Sequence, residues 1–582
     1  MKLLLLLASS LLALVNAAPH DASFTPDVTL HVTAEQTKQS CNDIKEVVLV
    51  NGTSPGPSIR FPEGQRVWIR VYNDMRHENL TMHWHGLTLA TAPFSDGTPA
   101  ASQWPIPPLN YFDYALYVPI GMAGTYFYHS HVGLQALSCT GPLIVEDAYD
   151  PPFEYDGEKI LFTQDVMPDT NDVIEAGQLS IPVTYFKHIS SVLINGKGGG
   201  PRGGDTFCND TLSVINVEPG KTYRLRVIGG NGVSFDTIGI EGHDVLTIIE
   251  VDGSYTEPYN TSFLQVGAGQ RYSVLLKTLT NPEKQFYYVQ LETREFGPLI
   301  QTYAILNYGP RTTNPFYPPA KAPITLPPTD PAFLDYKLRP YYNAPGFPTA
   351  ESVTRRINIT LYLEVNNGGL TYLINGYTWN ETVPKEPYLV SQYKNDGVGW
   401  PSMERALQHD GLDPEARAFP MDLGEVVEIV IQNSGSARGK LESHPWHIHG
   451  AHVYDMGSGD GVYDMAANEK KWANATGKPI LRDTSVVSKY GAVAKENELS
   501  GWRTWRLRVT QPGVWMVHCH LLPHMVWGMQ AVLVMGNASD VLSLVPRPQL
   551  EGFLEYGGSA YGNATHYPSG LVDSFNTTEW EE

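Results

Sequence analysis

Pro512-Gly513-Val514-Trp515-Met516-Val517-His518-Cys519-His520 is the stretch whose reading decides the fold. A proline-glycine turn leads into a short apolar run, which predicts a strand. The same strand recurs twice upstream, as Gly124-Thr125-Tyr126-Phe127-Tyr128-His129-Ser130-His131 and as Gly269-Gln270-Arg271-Tyr272-Ser273-Val274-Leu275-Leu276. The first and third copies end in histidine or cysteine; the middle one does not. Other pieces repeat in step. Val50-Asn51-Gly52 returns as Ile194-Asn195-Gly196 and Ile374-Asn375-Gly376, and Gly64, Gly220 and Gly424 each open an alternating strand after a turn. Self-similarity of this kind marks repeated modules, and period-two alternation marks strands with one buried face. The chain therefore reads as all-β: three antiparallel β-sandwiches or barrels packed together, with modules one and three meeting and module two as spacer. The expected bounds are 25–147, 148–320 and 340–560, with a tail over 561–582. The first boundary follows residues 146–152, the second the proline-crowded stretch 309–331. A short helix is expected around Met403 to Leu407.

At 582 residues, 11% aromatic, with 53 glycines and 44 prolines, the chain has material for large strand-and-turn cores. A formal charge of -21 argues against nucleic acid or an anionic membrane as partner. The start, MKLLLLLASSLLALVNA, has one lysine, a short apolar core and a Val15-x-Ala17 cleavage pattern, so residues 1–17 read as a secretion signal. No later segment is apolar enough to span a bilayer. Ten N-x-S/T sequons are candidate glycan sites in a secreted chain, Asn79 lying closest to a histidine motif. There are four cysteines. If Cys519 binds metal, Cys41, Cys139 and Cys208 allow one disulfide and one free thiol.

Ten histidines and Cys519 fall into four tight groups: His83 and His85; His129 and His131; His444, His447 and His449; His518, His520 and His524. On a strand, residues i and i+2 share a face and i+1 looks the other way. His518 and His520 thus serve one metal site and Cys519 a second, and the peptide bonds between them become a bridge for electrons. The cysteine site needs two histidines, His444 and His524, and gains a weak thioether from Met529, ten residues after Cys519. Two imidazoles, a thiolate and a distant methionine form the blue-copper pattern, a one-electron relay. The other eight histidines are too many for one ion; three coppers sharing them leave positions open for dioxygen. Zinc also takes imidazole but has no redox chemistry, which would leave the Cys519 bridge without a purpose.

These four groups, His83-Trp84-His85-Gly86, the 124–131 strand, His444-Pro445-Trp446-His447-Ile448-His449-Gly450 and the 518–529 stretch, resemble the signature motifs of the multicopper oxidases, nearest the laccase and ascorbate oxidase branch. Residues 92–99 and 137–145 are similar to laccase-like enzymes of filamentous (ascomycete) fungi. The resemblance implies three cupredoxin-like Greek-key domains, four coppers per chain, and oxidation of a small phenolic donor coupled to reduction of dioxygen to water. It makes His444, Cys519 and His524 the type 1 ligands, with Met529 axial. It gives His83 and His447 to type 2 copper, and His85, His129, His520 and His131, His449, His518 to the two type 3 coppers. Asp96 stands where the family has an acid that feeds protons to the cluster; a plain turn aspartate before Gly97 is the alternative. Cys41 with Cys208 resembles a bridge between domains one and two of ascorbate oxidase, and Cys139 with Cys208 is the rival pairing. The family's usual Cys-Pro-Ile is Trp104-Pro105-Ile106 here, so one customary disulfide is absent. Pro523 sits where some bacterial relatives have a glutamate. The same copper machinery could serve ascorbate or ferrous iron, and a pure electron carrier is the remaining class. For the donor pocket, Asp236 is a candidate acid, though a solvent-facing turn aspartate is expected there. No carboxylate can be placed around His524. A secreted monomer is expected.

Overall fold

The computed structural model describes residues 20–568 apart from 91, 343–345, 437–438, 492–493 and 546–549. The expected signal segment, 1–17, and residues 569–582 of the expected tail lie outside the described residues. Three modules are visible, each a pair of facing sheets. The first has Lys45–Val50, Val28–Thr37, Arg66–Asn73, Asn110–Tyr117 and Tyr561–Asn563 in one sheet and Ile59–Pro62, Thr140–Glu146, Gly124–His129 and His83–His85 in the other. The third repeats the plan, its ligand-bearing sheet running Ala418–Met421, Gln530–Met535, Gly513–Cys519, His444–Ile448 and Thr484–Val487. The middle module has sheets of six and five strands, and here the expected repeat is corrected: Arg271–Lys277 pairs with Thr222–Gly229 as Asn110–Tyr117 pairs with Arg66–Asn73, so the strand in the place of the two histidine-bearing ones is Phe286–Arg294, between Phe235–Ile240 and Gln301–Asn307.

The repeat is a repeat of turns. Asn51, Asn195 and Asn375 have φ of 48°, 51° and 52°, each followed by a glycine at positive φ. Asparagine-glycine supplies that left-handed pair at little steric cost. Each asparagine also accepts a bond across the sheet through Oδ1, from the N–H of His31, Phe162 and Thr360 respectively. One expectation needs correcting: the sheets are mixed, not purely antiparallel. Val28 pairs in parallel with Ile69, Tyr223 with Gly157 and Arg355 with Val427 in one sheet of each module, and Ile59 with Leu143, Ser213 with Ala304 and Ala418 with Val532 in the other. A chain that crosses between two sheets returns beside a strand running the same way, and local alternation does not record that.

The cores are aromatic. Trp84, Trp446, Trp505 and Trp515 are completely buried, and truncating one such side chain costs about 3–5 kcal/mol. Trp84 and Trp446 matter for position, since each fills the core on the strand face opposite the neighbouring histidines. The expected short helix is present at Met403–Leu407, capped by Ser402. A disulfide joins Cys41 to Cys208, tying module one to module two, and Cys139 is a buried free thiol. The bond closes 167 residues, worth about 5 kcal/mol in the chain-entropy account. The last described segment crosses back to module one. Tyr561 pairs with Phe112, Phe553 stacks on Phe94 at 4.5 Å, and the Trp104 indole donates to the Leu554 carbonyl, 450 residues away, at 3.0 Å. Among the described residues no helix is long and apolar enough to cross a membrane.

Candidate metal centre

Strand pairing brings the motifs together. His83 lies opposite His129, His447 opposite His518, and Trp446 opposite Cys519. The two ligand-bearing sheets face each other, so eight buried histidines from modules one and three converge. Ring centroids are 3.7 Å apart for His85 and His447, 3.9 Å for His83 and His449, 5.0 Å for His131 and His518, and 5.2 Å for His129 and His520. The Nε2 atoms of His449 and His518 come to 3.1 Å, those of His83 and His447 and those of His131 and His518 to 3.4 Å.

Those distances bear on what the cluster can hold. Burial pushes His85, His129, His131, His518 and His520 well below the ordinary imidazole pKa, His447 to about 4 and His449 to about 3. They are neutral, with lone pairs aimed at one another. His85 Nδ1, His129 Nε2, His131 Nδ1 and both nitrogens of His520 are buried and find no hydrogen-bond partner among the described residues. Buried polar atoms left this way are costly unless a cation accepts the lone pairs. The donor set therefore fits metal. His83, His85 and His129 form one group whose nitrogens all lie within 4.8 Å of each other, His83, His447 and His449 a second, and His131, His449 and His518 a third.

Cys519 looks the other way, as the alternation predicts. Its Sγ is 3.8 Å from Nδ1 of both His444 and His524, and these two nitrogens are 3.1 Å apart. Burial pushes the Cys519 thiol up, so a thiolate here needs a positive ion beside it. Met529 is fully buried; its carbonyl accepts the Cys519 N–H at 3.0 Å and its own N–H reaches the His524 carbonyl at 2.9 Å.

Asp96 is also buried against the cluster. Its carboxylate is 3.1 Å from His449 Nδ1 and accepts from the Thr98 hydroxyl at 2.9 Å, while its carbonyl lies 2.7 Å from His83 Nδ1. Burial alone would raise its pKa; His449 and His83 hold it below the usual carboxylate range.

Two expectations about the donor side change. Glu442 Oε2 lies 3.4 Å from His524 Nε2, so a carboxylate does stand beside that ring. Tyr372 shares the place, its hydroxyl 3.4 Å from Glu442 and its ring 5.1 Å from His524. Asp236 is no surface turn residue. It is buried on the strand Phe235–Ile240 and held by Asn231 and Ser234, and burial together with Asp165 raises its pKa to about 7. Sequence reasoning also missed Asp483 and Thr484. Asp483 is 3.2 Å from His85 Nε2 and 3.4 Å from His447 Nδ1, and the Thr484 hydroxyl touches the same two nitrogens at 3.0 and 3.1 Å. A single Asp-Thr step opening a strand gives no local signal.

Three cupredoxin-like modules carrying a His-Cys-His bridge between two donor sets define a copper oxidoreductase. The chain belongs to the multicopper oxidase family, whose models match residues 31–150, 160–311 and 382–539. It is 43% identical to laccase-like multicopper oxidase 1 of Thermothelomyces thermophilus, over 97% of this chain and 96% of that one. It is 41% identical to multicopper oxidase aurL2 of Gibberella zeae (94% and 95% covered), and 30% identical to L-ascorbate oxidase of Cucurbita pepo (85% and 92%). Solved structures share the fold: Fet3p, a multicopper oxidase that functions in iron import, with TM-score 0.68 at 23% identity (87% and 90% covered), and the laccase from Botrytis aclada, with 0.64 at 22% (88% of each).

Proposed function

We propose that the protein is a secreted laccase-like oxidase that takes single electrons from phenolic and diphenolic donors and reduces dioxygen to water. One observation carries this reading: Cys519 faces His444 and His524, while its neighbours His518 and His520 sit in the eight-histidine cluster. In this reading His444, Cys519, His524 and Met529 hold type 1 copper, and His83 and His447 type 2. His85, His129, His520 and His131, His449, His518 hold the type 3 pair, giving four ions per chain. Copper would supply one-electron exchange at the cysteine site and dioxygen reduction at the cluster. The domains span 25–147, 148–320 and 340–560, behind a leader of 17 residues and ahead of a tail.

The protein's own groups divide the work. His524 turns Nδ1 toward Cys519 and leaves Nε2 facing Glu442, so the donor's electron enters at that edge. A phenol loses a proton with its electron, and Glu442 is placed to accept it. Asp96, hydrogen-bonded to His449, holds that ring in place and, kept ionised by His449 and His83, is the proposed relay through which protons pass during dioxygen reduction. Ferrous iron is the second reading, favoured by the carboxylate at the electron-entry edge, a hard oxygen ligand. Oxygen uptake measured in parallel with a diphenol, ascorbate and Fe(II) separates the donors. The phenol reading predicts the highest kcat/KM for the diphenol, and no uptake with any diphenol overturns it.

A further inference from the structure

The middle-module strand Arg271–Lys277 carries no histidine, yet its start reaches the cluster. Gly269, at φ +84°, precedes it, and a Cβ there would lie 2.9 Å from the His85 ring and 3.1 Å from that of His520. Two residues on, Arg271 is fully buried and grips Asp483 of module three with both nitrogens of its fork: Nη1 to Oδ1 and Nη2 to Oδ2, each at 2.6 Å. Its Nε donates to the Thr125 carbonyl of module one at 3.1 Å, and Nη1 to the Gly269 carbonyl at 3.0 Å. Asp483 touches His85 Nε2 and His447 Nδ1. One guanidinium thus spans three modules and ends, through one carboxylate, on two histidines.

We infer that Arg271 is a positioning residue of the cluster, acting through Asp483 to fix the rings of His85 and His447. An acceptor takes a bond only from an N–H, so Asp483, through its carboxylate on His85 Nε2 and its backbone carbonyl 3.0 Å from His447 Nδ1, selects the tautomers that leave His85 Nδ1 and His447 Nε2 as lone pairs toward the interior. His85 Nδ1 is without a partner, and His447 Nε2 faces His83. A planar fork holds both carboxylate oxygens at once; a lysine ammonium does not. Module two is therefore part of the centre's frame, not a spacer. This role rests on the proposal that the cluster binds copper.

The test is copper retention, independent of turnover. Purified holoprotein is dialysed against a chelator, and copper per chain and the red absorption of the cysteine site are followed together. Arg271→Lys should keep the absorption and lose the remaining copper about 10–100-fold faster than wild type, the usual effect of losing a group that orients a ligand. Arg224→Lys is the control. Arg224 is equally buried and pairs with Glu250 at 2.8 Å, with no histidine in its hydrogen bonds, so wild-type retention is expected. If Arg271→Lys fails to fold, Asp483→Asn, of the same shape, should show the same selective loss. Wild-type retention in the Arg271 or Asp483 variant overturns the role, as does equal loss in the Arg224 control. A wild-type protein carrying no copper overturns the oxidase reading itself, and this role with it.

Discussion

Glu442→Gln tests how the electron enters. The substitution keeps the side chain's size and removes only its charge and its capacity to take a proton. Glu442 Oε2 is 3.4 Å from His524 Nε2, and the side chain is 37% exposed. General bases in enclosed sites contribute roughly 10²–10⁴-fold. Here water competes as acceptor, so the low end applies: about 10–100-fold in kcat/KM for a diphenol, or ~1.4–2.7 kcal/mol. Ferrocyanide surrenders an electron and no proton. Removing a negative charge beside its landing point should speed it slightly, since a pair of charges about 4 Å apart and screened by water is worth only about 1 kcal/mol. The assay is steady-state oxygen uptake with both donors at one pH and ionic strength. A parallel fall on the two would mean that Glu442 shapes the site without moving protons, and an unchanged diphenol rate would remove it from the reaction altogether.

Cys519→Ser should abolish the red absorption and diphenol oxidation while copper in the histidine cluster stays bound; metal analysis beside the visible spectrum decides, and a protein that stays blue contradicts the assignment. Met529→Leu removes a buried sulfur at near-constant volume, so stability should change by under about 1.5 kcal/mol while the type 1 potential rises in a redox titration; an unchanged potential makes Met529 core filling only. Asp236 gives a pH signature. Its pKa is raised to about 7 in the fold, so its contribution is fully present below the unfolded carboxyl value of about 3.9 and is lost as pH climbs through 7, by up to ~1.4 kcal/mol per pH unit. Asp236→Asn should flatten that slope, narrowing the difference in Tm between pH 5 and pH 8; an equal slope in the two proteins would show that Asp236 does not titrate in that window.

What the sequence reveals is what lies on a regular element. His518-Cys519-His520 sorts its side chains correctly because a strand alternates, and His447 and Trp446 follow by the same rule on the paired strand. The Asn-Gly turns at 51, 195 and 375 are legible because few residues take that conformation. Three things escape. The parallel pairing of Val28 with Ile69 depends on how the chain crosses between sheets. Glu442 precedes the strand His444–Ile448, where alternation no longer says which way a side chain points. Arg271 and Asp483 are 212 residues apart and meet only once two modules have docked. A motif lists ligands; the groups that orient ligands come from wherever the packing puts them.

The strand Tyr561–Asn563 completes a sheet whose other members all lie before residue 118. During synthesis the N-terminal module waits for nearly the whole polypeptide with Asn110–Tyr117 as an open edge, able to pair with any passing strand. At ribosomal speeds of about 5–20 residues per second, the 450 residues between Trp104 and Leu554 amount to roughly 20 to 90 seconds of exposure. The strand Tyr561–Asn563 thus acts as a clasp in time as well as space: a nascent molecule halted before it carries a sticky margin, and one that has passed it is sealed.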